Sequence, residues 1–385
     1  MTTSEPMSAS SDDPGDGTWF LNPGRYPAWT CPAPPPDVRD FHRTLPGYAP
    51  TGLADLPALA RELGVAHVVA KDESNRLGLP AFKGLGASWA IHRALSGRTG
   101  SGAGEHVTIV TATDGNHGRA VARFARLFGH RADVFVPDGV HPAAVQAIHD
   151  EGAQVSQLAG TYDEAVHAAA THAAQHDDRL LVQDTAWDGY EDVPNWIVDG
   201  YSTLFAEIDD QLRARELTRP DLVVVPTGVG SLLQAALAHY RSNPDLLATS
   251  VVSAEPVHAA CVLASVTAGR PVAVGTGPTA MAGLNCGTVS TLAWPYIAPG
   301  LDACVTVTDA QAARAARDLQ ALGVPTGPCG AAPLAAVRTL NAVAGQGRSS
   351  SPGRSLDLSP TATVVLLVTE GTAANPGLLP TGSAE

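Results

Sequence analysis

Short, unbroken runs of Val, Leu and Ile, each followed by a loop and then a longer helical stretch, constrain this chain most. Leu222–Val225 and Thr363–Val368 are apolar at successive positions rather than alternate ones. A strand needs that pattern when helices cover both of its faces. Further strands are expected at His67–Ala70, Val107–Thr111, Asp133–Val136, Gln154–Leu158, Leu180–Val182, Thr249–Ser253 and Ala303–Val307. Thr161-Tyr-Asp-Glu164 and Thr308-Asp-Ala-Gln311 match a capping box, in which hydroxyl and acid or amide satisfy each other's free N–H groups. Alternation at this spacing predicts an α/β fold built on mostly parallel sheets. Such folds bind ligands at the carboxyl ends of their strands, so the loops after strands are where chemistry is expected.

Length and charge narrow the possibilities. The 385 residues suffice for two or three lobes, and 44% apolar against 16% charged residues argues for a packed globule. A net charge of −14 with no basic cluster argues against nucleic acid or an anionic membrane as partner. The five cysteines lack C-x-x-C spacing, so neither a disulfide framework nor a metal site is expected, and a reducing compartment fits. No secretory signal pattern is visible, and Pro226, Gly228, Gly230 and Gln234 interrupt the longest apolar stretch. The expected location is therefore cytoplasmic. Residues 1–17 and the Gly/Ser/Pro-rich 345–360 read as a disordered tail and a flexible insertion, with a second tail at 376–385.

Three post-strand segments carry candidate chemistry. Val225-Pro-Thr-Gly-Val-Gly-Ser231 has the glycines that let backbone N–H groups approach an anion at a helix start. It lacks the third glycine of a dinucleotide fingerprint, since that position is Leu233; it suits a single phosphate. Asp114-Gly-Asn-His-Gly118 places a carboxylate and an amide at another helix mouth, although an ordinary Asx-capped turn reads the same way. The third segment, Lys71 to Lys83, holds the chain's two lysines; the other 22 of its 24 basic residues are arginine. Arginine can replace lysine as a surface cation. It cannot replace an amine that must lose its proton and attack a carbonyl.

In this order and combination the motifs resemble fold-type II pyridoxal 5′-phosphate enzymes, and in detail the diaminopropionate ammonia-lyase family. The resemblance rests on Lys71-Asp-Glu-Ser74, Ala81-Phe-Lys83, Asp114-Gly-Asn-His-Gly118, Gln183-Asp-Thr-Ala-Trp187, Gly189-Tyr-Glu191, Met281-Ala-Gly-Leu284 with Cys286-Gly287, and Thr369-Glu-Gly371. It implies a tryptophan synthase β-like fold of two open α/β lobes with the cofactor in the cleft. A small domain, 76–187, would be inserted in a large one formed by 18–75 and 188–375. It also implies that Lys83 holds pyridoxal phosphate, that Asn116 bonds its phenolic oxygen, that Gly228, Val229, Gly230 and Ser231 cradle its phosphate, and that Thr369 faces its ring nitrogen.

The implied reaction is α,β-elimination of 2,3-diaminopropionate through aminoacrylate to pyruvate and two ammonia. Asp114 and Asp184 would be the bases, on opposite faces and so suited to opposite enantiomers. A homodimer is usual in the resembled family. Where that family continues Asp-Thr-Asp-Pro after Thr369-Glu-Gly371, this chain reads Thr372-Ala-Ala-Asn-Pro376. Cys261 and Cys286 fall in segments that pair in some relatives, but free thiols suit a reducing cytosol. His117 reads as a turn-stabilising residue. The competing readings are a serine/threonine dehydratase or β-replacement enzyme on the same scaffold, and a non-catalytic cofactor-binding module.

Overall fold

A computed structural model describes residues 17–97, 106–344, 356 and 358–374. Eleven strands are present among them: β1 (Trp19–Leu21), β2 (Leu53–Asp55), β3 (His67–Asp72), β4 (Thr108–Ala112), β5 (Arg131–Pro137), β6 (Gln154–Leu158), β7 (Arg179–Leu181), β8 (Leu222–Pro226), β9 (Ser250–Pro256), β10 (Ala303–Val307) and β11 (Thr363–Val368). All nine expected strands are there. The two added ones, β1 and β2, are three-residue edge strands that pair antiparallel with β10 and β3.

Seven strands form one sheet in the order β1-β10-β9-β8-β11-β3-β2, and four form a second, all-parallel sheet in the order β6-β5-β4-β7. Every residue of β4, β8, β10 and β11 is buried, as the continuous apolar runs of β8 and β11 require. Both capping boxes form, at Thr161 with Glu164 and at Thr308 with Gln311. All four strands of the smaller sheet lie within 76–187 and all seven of the larger lie outside it. We propose on that basis that 76–187 is a domain inserted in the larger one.

Residues 1–16, 345–355, 357 and 375–385 lie outside the described residues, and with them most of the expected tails and insertion. Leu356 and Leu358, from the expected insertion, rest against the core of the larger sheet. Among the described residues no helix is long and apolar enough to cross a membrane, and no group of three or more His, Cys, Asp or Glu could hold a metal ion.

Lys71 sits in β3 with its side chain fully buried. Its ammonium donates to Glu207 Oε2 at 2.7 Å and to the Thr51 carbonyl at 2.9 Å. Arg76 donates to both oxygens of Glu207, at 2.8 and 2.7 Å, and to both of Glu73, at 2.7 and 2.6 Å. Two cations and two carboxylates thus neutralise one another where β3 and the following loop meet the helix Ser202–Arg213.

Candidate active site

Lys83 is the first residue of the helix Lys83–Ser96. The Phe82 N–H donates to the Thr369 carbonyl at 3.1 Å, which ties the start of this helix to the end of β11. Packing then fixes its line. A Cβ on Gly86 would fall 2.6 Å from the Tyr201 ring, so only glycine allows this approach. The Lys83 ammonium projects into a cavity of about 490 Å³ and donates to Asp184 Oδ2 at 2.8 Å.

Asp184 follows β7 and has differently engaged oxygens. Oδ1 accepts from Gln183 Nε2 at 3.3 Å and from the Tyr162 hydroxyl at 3.4 Å. Gln183 Oε1 accepts from the Ala112 N–H and the Thr111 hydroxyl at the end of β4. That fixes which end of the amide faces the cleft, and its NH2 also donates to the Tyr162 hydroxyl at 2.8 Å. Oδ2 faces Lys83 and, at 3.8 Å, His117 Nδ1.

Burial works against the charges of both Lys83 and Asp184, but their mutual attraction outweighs it. Lys83 is held above the ordinary lysine value and Asp184 well below the usual carboxylate range. Burial also depresses the pKa of His117, which is therefore neutral near pH 7, so the Lys83 ammonium is the charge that counts for Asp184.

Asp114, Asn116 and His117 come from the loop after β4 and the helix Asn116–Leu127. The Thr113 hydroxyl closes that loop by accepting from the N–H groups of Gly115 and Gly118, each at 2.9 Å. Asp114 keeps contact with water in the open cleft but is hemmed in by its walls. That crowding, reinforced by the negative charge of Asp184 and partly offset by Lys83, pushes its carboxyl up to about 6. Asn116 Nδ2 donates to Glu370 Oε2 at 3.2 Å, and the other oxygen of Glu370 accepts from the Cys329 N–H at 3.1 Å.

The loop Thr227–Gly230 leads from β8 into the helix Ser231–Ser242. Gly230 has φ +101°, a conformation that favours glycine, and a Cβ on Gly228 would fall 2.9 Å from Cys286 Sγ. The helix N-terminus adds a partial positive charge at this loop. Thr369, the residue after β11, is buried on the same cavity wall. Cys261 and Cys286 are both free thiols.

One cavity therefore brings together Lys83, Asp114, Asn116, Asp184, Gly228, Val229, Gly230, Ser231 and Thr369. An amine, a helix-start loop with room for one phosphate, a side-chain amide and a hydroxyl form a donor set that fits pyridoxal phosphate. Tyr162 and Tyr201 also line the cavity and escape sequence reasoning. Tyr162 follows a capping Thr after β6, a post-strand position that points to it; nothing local points to Tyr201.

Comparison with known proteins agrees with this donor set. Residues 44–369 match the family of pyridoxal-phosphate dependent enzymes. The chain is 37% identical over 306 residues to a diaminopropionate ammonia-lyase of Escherichia coli strain K12, covering 75% of each. It is 35% identical over 300 residues to the Salmonella typhimurium enzyme of that name, covering 73% of this chain and 74% of the other. Its structure is similar to that of the Escherichia coli enzyme in complex with an aminoacrylate–pyridoxal phosphate azomethine reaction intermediate, with a TM-score of 0.83 and 30% identity, covering 93% of this chain and 94% of the other. This chain belongs to the pyridoxal-phosphate dependent enzymes of fold type II and, within them, to the diaminopropionate ammonia-lyases.

Proposed function

We propose that the chain eliminates both amino groups of 2,3-diaminopropionate, converting it with one water into pyruvate and two ammonia. The observation that carries this reading is the cleft's charge. The carboxylates of Asp114 and Asp184 face a cavity whose one lysine amine is already paired with Asp184. A β-ammonium gains from that surplus, whereas the neutral β-hydroxyl of serine does not.

Pyridoxal phosphate supplies, when bound, electron withdrawal from the α-carbon of the amino acid whose α-amine it holds. Lys83 anchors it, Asn116 and Thr369 address its ring, and Gly228–Ser231 hold its phosphate. Asp184 and Asp114 take the Cα proton, one from each face, and together they attract the β-ammonium. Lys83, once free, carries the proton traffic that releases 2-aminoacrylate, which water then hydrolyses to pyruvate. The family resemblance brings a homodimer with it, and the free thiols support a cytoplasmic location. Light scattering and fractionation would check these two points.

Purified protein should be yellow and release ammonia and pyruvate from at least one diaminopropionate enantiomer faster than from D- or L-serine. Faster release from serine would replace the reading with a dehydratase. Colour without turnover of any amino acid would replace it with a binding module.

The pH profile supplies a second check. With its carboxyl near 6, Asp114 is neutral below that value and ionised above it. If its carboxylate is needed, kcat/KM climbs by about tenfold per pH unit below 6 and levels off above it. Asp114→Asn should remove that limb and lower kcat/KM at pH 8. An unchanged acid limb in the variant would assign it to another group.

A further inference from the structure

The unusual group in the cleft is one that the reaction above does not use. His117 is 4% exposed, and its Nε2 lies 2.9 Å from the Val182 carbonyl. A carbonyl only accepts, so Nε2 carries the ring proton and Nδ1 is a bare lone pair. That Nδ1 is buried and has no hydrogen-bond partner among the described residues. It faces Asp184 Oδ2 at 3.8 Å, one acceptor opposite another. A buried acceptor without a donor costs free energy, and it persists where another state of the site supplies the donor.

Asp184 can supply it. Two donors, Tyr162 and Gln183, occupy Oδ1, so a proton arriving at this carboxylate is held on Oδ2. In the state described here the Lys83 ammonium holds Oδ2; once that amine is engaged elsewhere, Oδ2 is the oxygen open to the cavity. A newly formed Oδ2–H then faces the buried lone pair of His117 Nδ1. A movement of about 1 Å brings the two to hydrogen-bonding distance.

We infer that His117 is the positioning residue that receives the hydrogen bond of protonated Asp184, and so makes Asp184 a stronger base for one enantiomer of the substrate. This rests on the proposed elimination. In net terms the Cα–H bond breaks, its proton passes to Oδ2 and its electron pair forms the Cα–Cβ double bond. The Cβ–N bond breaks and ammonia departs with that pair. The Oδ2 proton is held against Nδ1 until product leaves, and then passes to water. Asp114 has no such partner among the described residues and serves the opposite face.

Two substitutions separate this role from support of the turn. His117→Gln can keep a donor toward Val182 but removes the lone pair at the Nδ1 position, whereas His117→Asn can offer an acceptor there and abandons Val182. The enantiomer more impaired by Asp184→Asn serves as reporter. With the reporter, His117→Gln should lower kcat by about tenfold or more, with KM within about twofold. The other enantiomer should be little affected, and His117→Asn should retain more kcat than His117→Gln. Equal losses on both enantiomers, wild-type kcat in His117→Gln, or a greater loss in His117→Asn would overturn the inference.

Nitrogen-15 spectra of histidine-labelled holoenzyme give a readout independent of turnover. Nδ1 of His117 should be unprotonated and should shift in Asp184→Asn, whose amide can donate to it; a protonated Nδ1 would also overturn the inference. A wild-type enzyme that eliminates nothing from diaminopropionate defeats the underlying reading instead, and is recognised before any variant is made.

Discussion

Lys83→Ala should lose turnover by about 10⁴-fold or more and lose the visible band of lysine-bound cofactor. No other side chain described in the cavity offers an amine. Lys83→Arg should fare no better, because guanidinium stays protonated and cannot attack a carbonyl. Folding should survive both changes. The Lys83–Asp184 pair borders an open cleft, with side-chain exposures of 25% and 12%, so water can take over the solvation of Asp184. Methylamine added to Lys83→Ala should restore part of the activity by standing in for the lost amine. Full activity with retained colour would show that the cofactor is held elsewhere.

Glu207→Ala should destabilise the protein by about 3–5 kcal/mol, the usual cost of leaving buried charges unpaired. Its carboxylate accepts from Lys71, from Arg76 twice, from the Tyr48 hydroxyl and from the Thr51 N–H, all with no exposure of the Lys71, Arg76 or Glu207 side chains. Removing it leaves two cations facing Glu73 alone. The midpoint of thermal unfolding should fall by roughly 4–6 °C. A Lys71→Met, Glu207→Leu double variant keeps the Arg76–Glu73 pair balanced and should be more stable than Glu207→Ala. A double variant less stable than the single would show that the pair acts by attraction rather than by mutual neutralisation.

The sign of the pH effect follows from the same cluster. Burial raises the pKa of Glu207, but Arg76 and Lys71 outweigh it and bring it down to about 2. A depressed carboxylate contributes its stability above its unfolded value and loses it as pH falls through the folded one. The cluster should therefore weaken between about pH 4.5 and pH 2, and Glu207→Ala should flatten the acid limb of the stability curve.

Much of this was legible in the chain because the signals are local. Continuous apolar runs mark the covered strands β8 and β11, and the capping boxes at Thr161 and Thr308 need only four residues each. The edge strands β1 and β2 give no such signal: three residues, half covered, show neither a run nor a period. The same division holds in the cleft. The structure gathers the expected residues into one cavity; all but Lys83, which opens a helix eleven residues beyond β3, lie just past a strand end that the pattern had located. Lys71 was identifiable as unusual but not as an ion-pair partner, since Glu207 is 136 residues away. His117 reads as part of a turn for a similar reason. Its tautomer is set by Val182, 65 residues on, and its unmatched Nδ1 exists only in three dimensions.

The scarcity of lysine has a practical corollary for chemical labelling. One of the two ε-amines is sealed beneath Glu207 and the other opens into the cleft. Asp184 keeps that amine protonated, so its uptake of an amine-selective reagent is slow, but no other ε-amine is within reach, and label mapped to Lys83 counts vacant clefts. Protection of that amine then measures occupancy by any ligand, coloured or not.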